Sequence, residues 1–209
     1  YHTHDDFHAV VTDNGIGIFG HICSVLNLES ERIAAIELIK GRVTTDLENY
    51  SGDELNAVIN LFDDVKIESN QIALMINNLS CSMITDHSLH RCGTRIHLKI
   101  DPKTKKSCKE VFKRIYKSST GTVLIPINLL KTNERDSLHS RLQAQSVLHN
   151  IKDLKHINFD FKEVDIIGPA FADELIRKIK KTDKSINIEW INSNEMVNMM
   201  MSRAINRFI

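Results

Sequence analysis

The apolar run Phe7-His8-Ala9-Val10-Val11-Thr12 stops at Asp13-Asn14-Gly15-Ile16-Gly17-Ile18-Phe19-Gly20. A strand-like segment that meets an Asx-Gly pair and more glycines must turn sharply into its next element, and three readings of that turn are open. As Gly15-x-Gly17-x-x-Gly20 it fits the dinucleotide fingerprint, in which glycines let a strand-to-helix turn approach a pyrophosphate. That fingerprint also needs a second buried strand ending in Asp or Glu about 20 residues further on, to hold a ribose hydroxyl. Residues 29–40 instead carry apolar side chains at Ile33, Ile36 and Ile39, which is helical spacing, so a Rossmann oxidoreductase is not expected. In the second reading Asp13 does the work, accepting a hydrogen bond from an adenine amine while the glycines leave room for the ring. In the third the segment is an ordinary Asx-Gly turn joining two elements.

Downstream residues favour the second reading. Lys40-Gly41-Arg42-Val43-Thr44-Thr45-Asp46-Leu47-Glu48-Asn49-Tyr50-Ser51-Gly52-Asp53-Glu54-Leu55 is a polar loop with glycines near its ends, followed by a helical pattern through Phe62. Cys92-Gly93-Thr94-Arg95-Ile96-His97-Leu98-Lys99-Ile100 alternates as a half-buried strand. Taken in order, Asp13-x-Gly15-x-Gly17, the polar loop and Gly93-Thr94 resemble the adenine box, ATP lid and last box of the GHKL ATPases, the superfamily of gyrase, MutL, the large heat-shock chaperones and the histidine kinases. The resemblance implies ATP with Mg²⁺ as cofactors. It assigns Asp13 to the adenine amine, Gly15 and Gly17 to the ring, Thr94 to the adenine edge, and Thr44, Thr45, Ser51 and Gly52 to the phosphates.

Two departures bear on catalysis. Related bacterial lids read Ser-Gly-Glu-Gly where this chain has Ser51-Gly52-Asp53-Glu54, so a side chain with the charge sign of phosphate replaces a glycine. The superfamily's catalytic glutamate and its magnesium-holding asparagine belong to a helix before the adenine box. The chain starts at Tyr1, so the catalytic residues are expected before Tyr1. With that helix the resemblance implies an ATP hydrolase; without it, a non-catalytic interaction scaffold with a degenerate nucleotide site.

The C-terminal half reads as a separate α/β unit. Lys155-His156-Ile157-Asn158-Phe159-Asp160-Phe161 has strand character, and Gly168-Pro169-Ala170-Phe171-Ala172-Asp173-Glu174-Leu175-Ile176 opens a helix with Pro in its first turn. Residues 160–175, with Ser140-Arg141-Leu142-Gln143-Ala144 and Ile186-Asn187-Ile188-Glu189-Trp190-Ile191, resemble STAS-like domains, which bacterial proteins attach behind GHKL modules. STAS antagonists accept phosphate on a serine at a helix N-terminus, but the matching positions here are Pro169 and Ala170. The resemblance therefore implies a surface for a protein partner rather than a phosphorylation site.

Composition bounds the rest. The chain has 209 residues, with 27 basic and 27 acidic side chains and zero formal net charge, so nucleic acid is not an expected partner. Lys103, Lys105, Lys106, Lys109, Lys113, Arg114 and Lys117 are read as the solvated side of a basic linker helix whose apolar side holds Val111, Phe112 and Ile115. The four cysteines form no Cys-x-x-Cys pair and are expected to be reduced, in a cytoplasm. No apolar run approaches the roughly 20 residues of a membrane span, and no metal site is expected of His2, His4 and His8. Met196, Met199, Met200 and Met201 are assigned to core packing on the last helix. The expectation is an α/β (α+β) chain. Residues 1–101 form a GHKL-type two-layer α/β sandwich with a mixed sheet, lacking its first helices; 102–117 form the basic linker helix; and 118–209 form a small STAS-like α/β domain. A regulatory, signalling role is implied, and a homodimer is possible.

Overall fold

A computed structural model describes residues 2–3, 6–41, 43, 53–89, 92–111, 121–133, 136–152 and 154–208. The chain divides into two compact units, Tyr1–Lys117 and Ser118–Ile209.

The N-terminal unit is a sheet backed by helices. Its strands are β1 (His2–Thr3), β2 (Asp6–Thr12), β3 (Asp64–Ser69), β4 (Ile72–Asn77), β5 (Ser82–His87) and β6 (Thr94–Ile100), in the spatial order β1-β2-β6-β3-β4-β5. Its helices are α1 (Ile18–Leu26), α2 (Glu31–Lys40) and α3 (Asp53–Leu61). Every pairing among these strands is antiparallel, which corrects the mixed sheet expected from the sequence. Tight turns at Asn70-Gln71 and residues 78–81 return the chain directly from β3 to β4 and from β4 to β5, and a short return cannot make a parallel pair.

Alternation along the strands separates two faces. On one, Val65, Ile67, Leu74 and Ile76 are buried, as are Phe19 and Ile22 of α1 and Ile33 and Ile36 of α2, and α1 contacts β3 while α2 contacts β4. On the other, cross-strand register sets Val10, His97, Lys66, Met75 and Ile84 in one row. A cavity of about 320 Å³ lies over that row. Two residues along β3 from Lys66, Glu68 accepts from the Lys66 ammonium at 2.9 Å and lies 3.0 Å from His97. Burial alone would raise the Glu68 carboxyl, but Lys66 and His97 hold it below the usual range.

The basic segment is not helical from its start. Thr104 N–H donates to the Asp101 carbonyl and Lys103 N–H to the Asp101 carboxylate, a turn with Pro102 at its second position. The chain becomes helical only from Cys108, where Ser107 caps Glu110 and Val111. Lys106 is not on a solvated helix face: its ammonium lies 2.6 Å from the Asp63 carboxylate. Phe112 and Ile115 lie outside the described residues.

The C-terminal unit is a three-stranded parallel sheet of β7 (Thr122–Pro126), β8 (His156–Asp160) and β9 (Asn187–Ile191), in that order. Its helices are α4 (Arg141–Ser146), α5 (Pro169–Thr182) and α6 (Glu195–Ile205). Local chemistry starts each of these helices, and the Pro169 start expected from the sequence is among them. Ser140 and Gln143 form a reciprocal capping box, Pro169 sits in the first turn of α5, and Asn194 caps α6 through Val197 N–H. The core includes Ile125, Ile157, Phe159, Phe171, Leu175 and Met201. Only Met201 of the four clustered methionines is buried. Met196 is 51% and Met199 53% exposed, which corrects their assignment to the core: one face of a surface helix turns inward and the others remain outside.

Candidate functional site

The end of β2 and the start of β6 meet under the N-terminus of α1. Asp13 N–H donates to the Thr94 carbonyl at 2.9 Å, carrying the ladder one residue beyond the strand. Asp13 Oδ1 then accepts from Gly15 N–H at 2.7 Å and from Thr94 N–H at 3.3 Å. The first bond is the Asx turn expected of an Asp-Asn-Gly segment. The second fastens the carboxylate to a strand that lies 81 residues away in the chain. Both bonds fall on Oδ1, and Asp13 is exposed, so a fixed carboxylate is presented at the surface with its other oxygen taking no bond among the described residues.

Thr94 is 7% exposed, and its Oγ1 accepts from Ile18 N–H at 3.0 Å. The residue capping α1 is Gly17, which has no side chain to offer, so a threonine from β6 supplies the cap oxygen from across the sheet. Two glycines are needed for this approach. Gly93 has φ +70°, and a Cβ there would lie 2.1 Å from the Asp13 carbonyl oxygen; Gly17 has φ +84°, and a Cβ there would lie 2.4 Å from Ser69 Oγ. Gly15 lies close over the carboxylate, where a Cβ would be 3.0 Å from Asp13 Oδ1.

Of the residues singled out in the sequence, the structure brings together Asp13, Gly15, Gly17 and Thr94. Thr44, Thr45, Ser51 and Gly52 lie outside the described residues. Glu54, the departure from the lid pattern, is exposed in the first turn of α3.

Three residues at this corner carried no functional signal in the sequence. Ser69 pairs with Thr94 in the β3–β6 register; it is fully buried, and its hydroxyl has no hydrogen-bond partner. Asn70, in the left-handed region at φ 51°, donates to the Ile16 carbonyl at 3.3 Å and to Glu31 Oε1 at 2.7 Å. Glu31 thereby ties α2 to the turn. Ser69-Asn70 is legible as the turn of a hairpin, but its position beneath Gly17 comes from β3–β6 pairing alone. Gly20, which only the dinucleotide reading used, faces Asn70 as well: a Cβ there would lie 2.8 Å from its amide nitrogen.

The corner offers an anchored anionic acceptor beside exposed Gly15, able to take a hydrogen bond from an N–H donor. No group of three or more His, Cys, Asp or Glu side chains that could hold a metal ion occurs among the described residues.

The C-terminal unit has its own polar centre. Glu174, 2% exposed, accepts from Arg177 Nε at 2.8 Å and from Gln145 Nε2 at 2.6 Å, and the Arg177 contact holds its carboxyl below the usual range against the effect of burial. Asp173 pairs with Arg207. These two acids lie in the second turn of α5 and serve as links to α4 and to the segment after α6. A parallel sheet with helices in this order defines a small α/β unit. Residues 143–198 match the family model described as STAS-like domain of unknown function (DUF4325), so the C-terminal unit contains a STAS-like domain; the match covers none of the N-terminal unit. No curated protein and no solved structure matches the chain. Among the described residues no helix is long and apolar enough to cross a membrane, and all four cysteines are free thiols.

Proposed function

We propose that the chain is a regulatory protein in which an adenine nucleotide, bound at Asp13, controls what the STAS-like unit presents to a protein partner. The observation that carries this reading is the Asp13 carboxylate, fastened by Gly15 and Thr94 N–H groups at 2.7 and 3.3 Å and exposed beside glycines. An isolated turn would need only the first of these bonds. The chemistry fits an adenine ring: the carboxylate takes the exocyclic amine, exposed Gly15 keeps a side chain away from the carboxylate, and buried Gly17 lets the turn pack on Ser69 and Asn70 beneath it. The antiparallel pairing of β2 with β6 supports the same reading, because it sets the Asp13 and Gly93-Thr94 segments side by side, as the GHKL resemblance requires. ATP with Mg²⁺ is the proposed ligand, and its phosphates fall to the segment containing Thr44, Thr45, Ser51 and Gly52. A bound ATP supplies a cleavable phosphoanhydride; Asp13, Gly15, Gly17 and Thr94 bind and orient its base.

Exposed Glu54 favours a second reading, an interaction scaffold whose nucleotide site no longer turns over, since its charge opposes phosphate in the lid. Calorimetric titration with a non-hydrolysable ATP analogue and Mg²⁺ tests the proposal. Wild type is expected to bind, and Asp13→Asn to bind at least about tenfold more weakly, the scale of a lost charge-assisted hydrogen bond. Absence of binding to wild type removes the nucleotide reading altogether. Binding without phosphate release from ATP selects the scaffold that senses nucleotide.

A further inference from the structure

Helix α6 carries a stripe with no use inside its own unit. Val197, Met201 and Ala204 point inward and are fully buried. Glu195, Met199 and Arg203 recur every fourth residue on the outside, with Met196 beside them. Positions four apart form one ridge along a helix. Both methionines are more than half exposed, although an unbranched apolar side chain that adapts to an opposing surface gains nothing from water. Glu195 and Arg203 are exposed and make no ion pair among the described residues. They lie eight residues apart, about 12 Å along the axis, too far to reach each other. The helix macrodipole accounts for an acid in the first turn and a base in the last, but not for methionines between them.

We infer that α6 docks against α6 of a second copy of this chain, antiparallel, with Met199 on the two-fold axis. A two-fold contact is self-complementary: whatever stands four residues before the axis faces whatever stands four residues after it. Centred on Met199, that operation sets Glu195 of each copy opposite Arg203 of the other, forming two equivalent ion pairs. The Met196 and Met199 side chains fill the space between them. A centre elsewhere on the ridge loses one or both pairings, so the charge pattern chooses this register as well as this partner. The inference is independent of nucleotide binding.

Sedimentation equilibrium of the full chain tests it. Wild type is expected to dimerise, and Met199→Glu, which places two like charges on the axis, to be monomeric. Glu195→Arg and Arg203→Glu alone each set like charges opposite one another and are expected to raise the dimer dissociation constant about tenfold. The double variant Glu195→Arg/Arg203→Glu restores opposite charges and is expected to return it near the wild-type value. All these side chains are exposed, and far-UV circular dichroism verifies that each variant is folded. A monomeric wild type overturns the proposal, as does a dimer that ignores Met199→Glu or a double variant no tighter than the single ones.

Discussion

Glu174 shows how one side chain can join elements distant in sequence. A buried carboxylate is costly unless its oxygens are engaged, and here Arg177 on its own helix and Gln145 on α4 engage both. The folded carboxyl titrates below its ordinary range because the Arg177 bond outweighs burial. For an acid with a depressed folded pKa, the contribution to stability is complete above the unfolded value of about 4.3 and is lost as pH falls through the lowered folded value. Glu174→Gln keeps the shape and removes the charge. It is expected to cost about 2 kcal/mol at pH 7 and to flatten the acid limb of stability below about pH 4.3. Urea denaturation of wild type and variant across pH 3–7 measures both.

At the level of elements, what was legible in the sequence is what local chemistry fixes. Pro169 announces a first helical turn and the alternation of Ile96, Leu98 and Ile100 a strand, and each forms as its pattern requires. The turn of Asp101-Pro102 was missed beneath a charge pattern that suited a helix, because Asp101 satisfies the backbone of Lys103 and Thr104 before any helix can start. Ser69, Asn70 and Glu31 were illegible as part of the site for a different reason: strand order and register place them there, and neither is written in a local motif. Gly93 lies between these cases. The sequence reads it as the first half of a Gly-Thr pair, whereas its physical requirement is the 2.1 Å that a Cβ would leave to the Asp13 carbonyl. Gly93→Ala must therefore push the start of β6 away from Asp13. The expected results are a loss of about 1–3 kcal/mol and a weakening of nucleotide binding comparable with that of Asp13→Asn. Thermal unfolding and titration of the same variant measure the two effects separately.

For the whole molecule, nucleotide control requires that binding at Asp13 be felt in residues 118–209, and the composition provides a reporter for that coupling. Trp190 is the chain's single tryptophan, and it lies in the STAS-like unit on β9, where its indole N–H donates to Asn198 Oδ1 of α6 at 2.9 Å. Its fluorescence therefore follows the C-terminal unit, while circular dichroism follows both. A ligand that binds only the folded N-terminal unit stabilises that unit, by about 2.7 kcal/mol at a hundredfold excess over its dissociation constant. If the units were energetically independent, that gain would leave the Trp190 transition unmoved, since a ligand shifts only equilibria in which it has differential affinity. A regulatory switch predicts otherwise: a non-hydrolysable ATP analogue with Mg²⁺ raises the unfolding midpoint seen by Trp190 as well as that seen by circular dichroism, and Asp13→Asn reduces both shifts together. A circular-dichroism shift with a stationary Trp190 midpoint would keep the nucleotide site and discard the coupling, leaving two units that share a chain without sharing a signal.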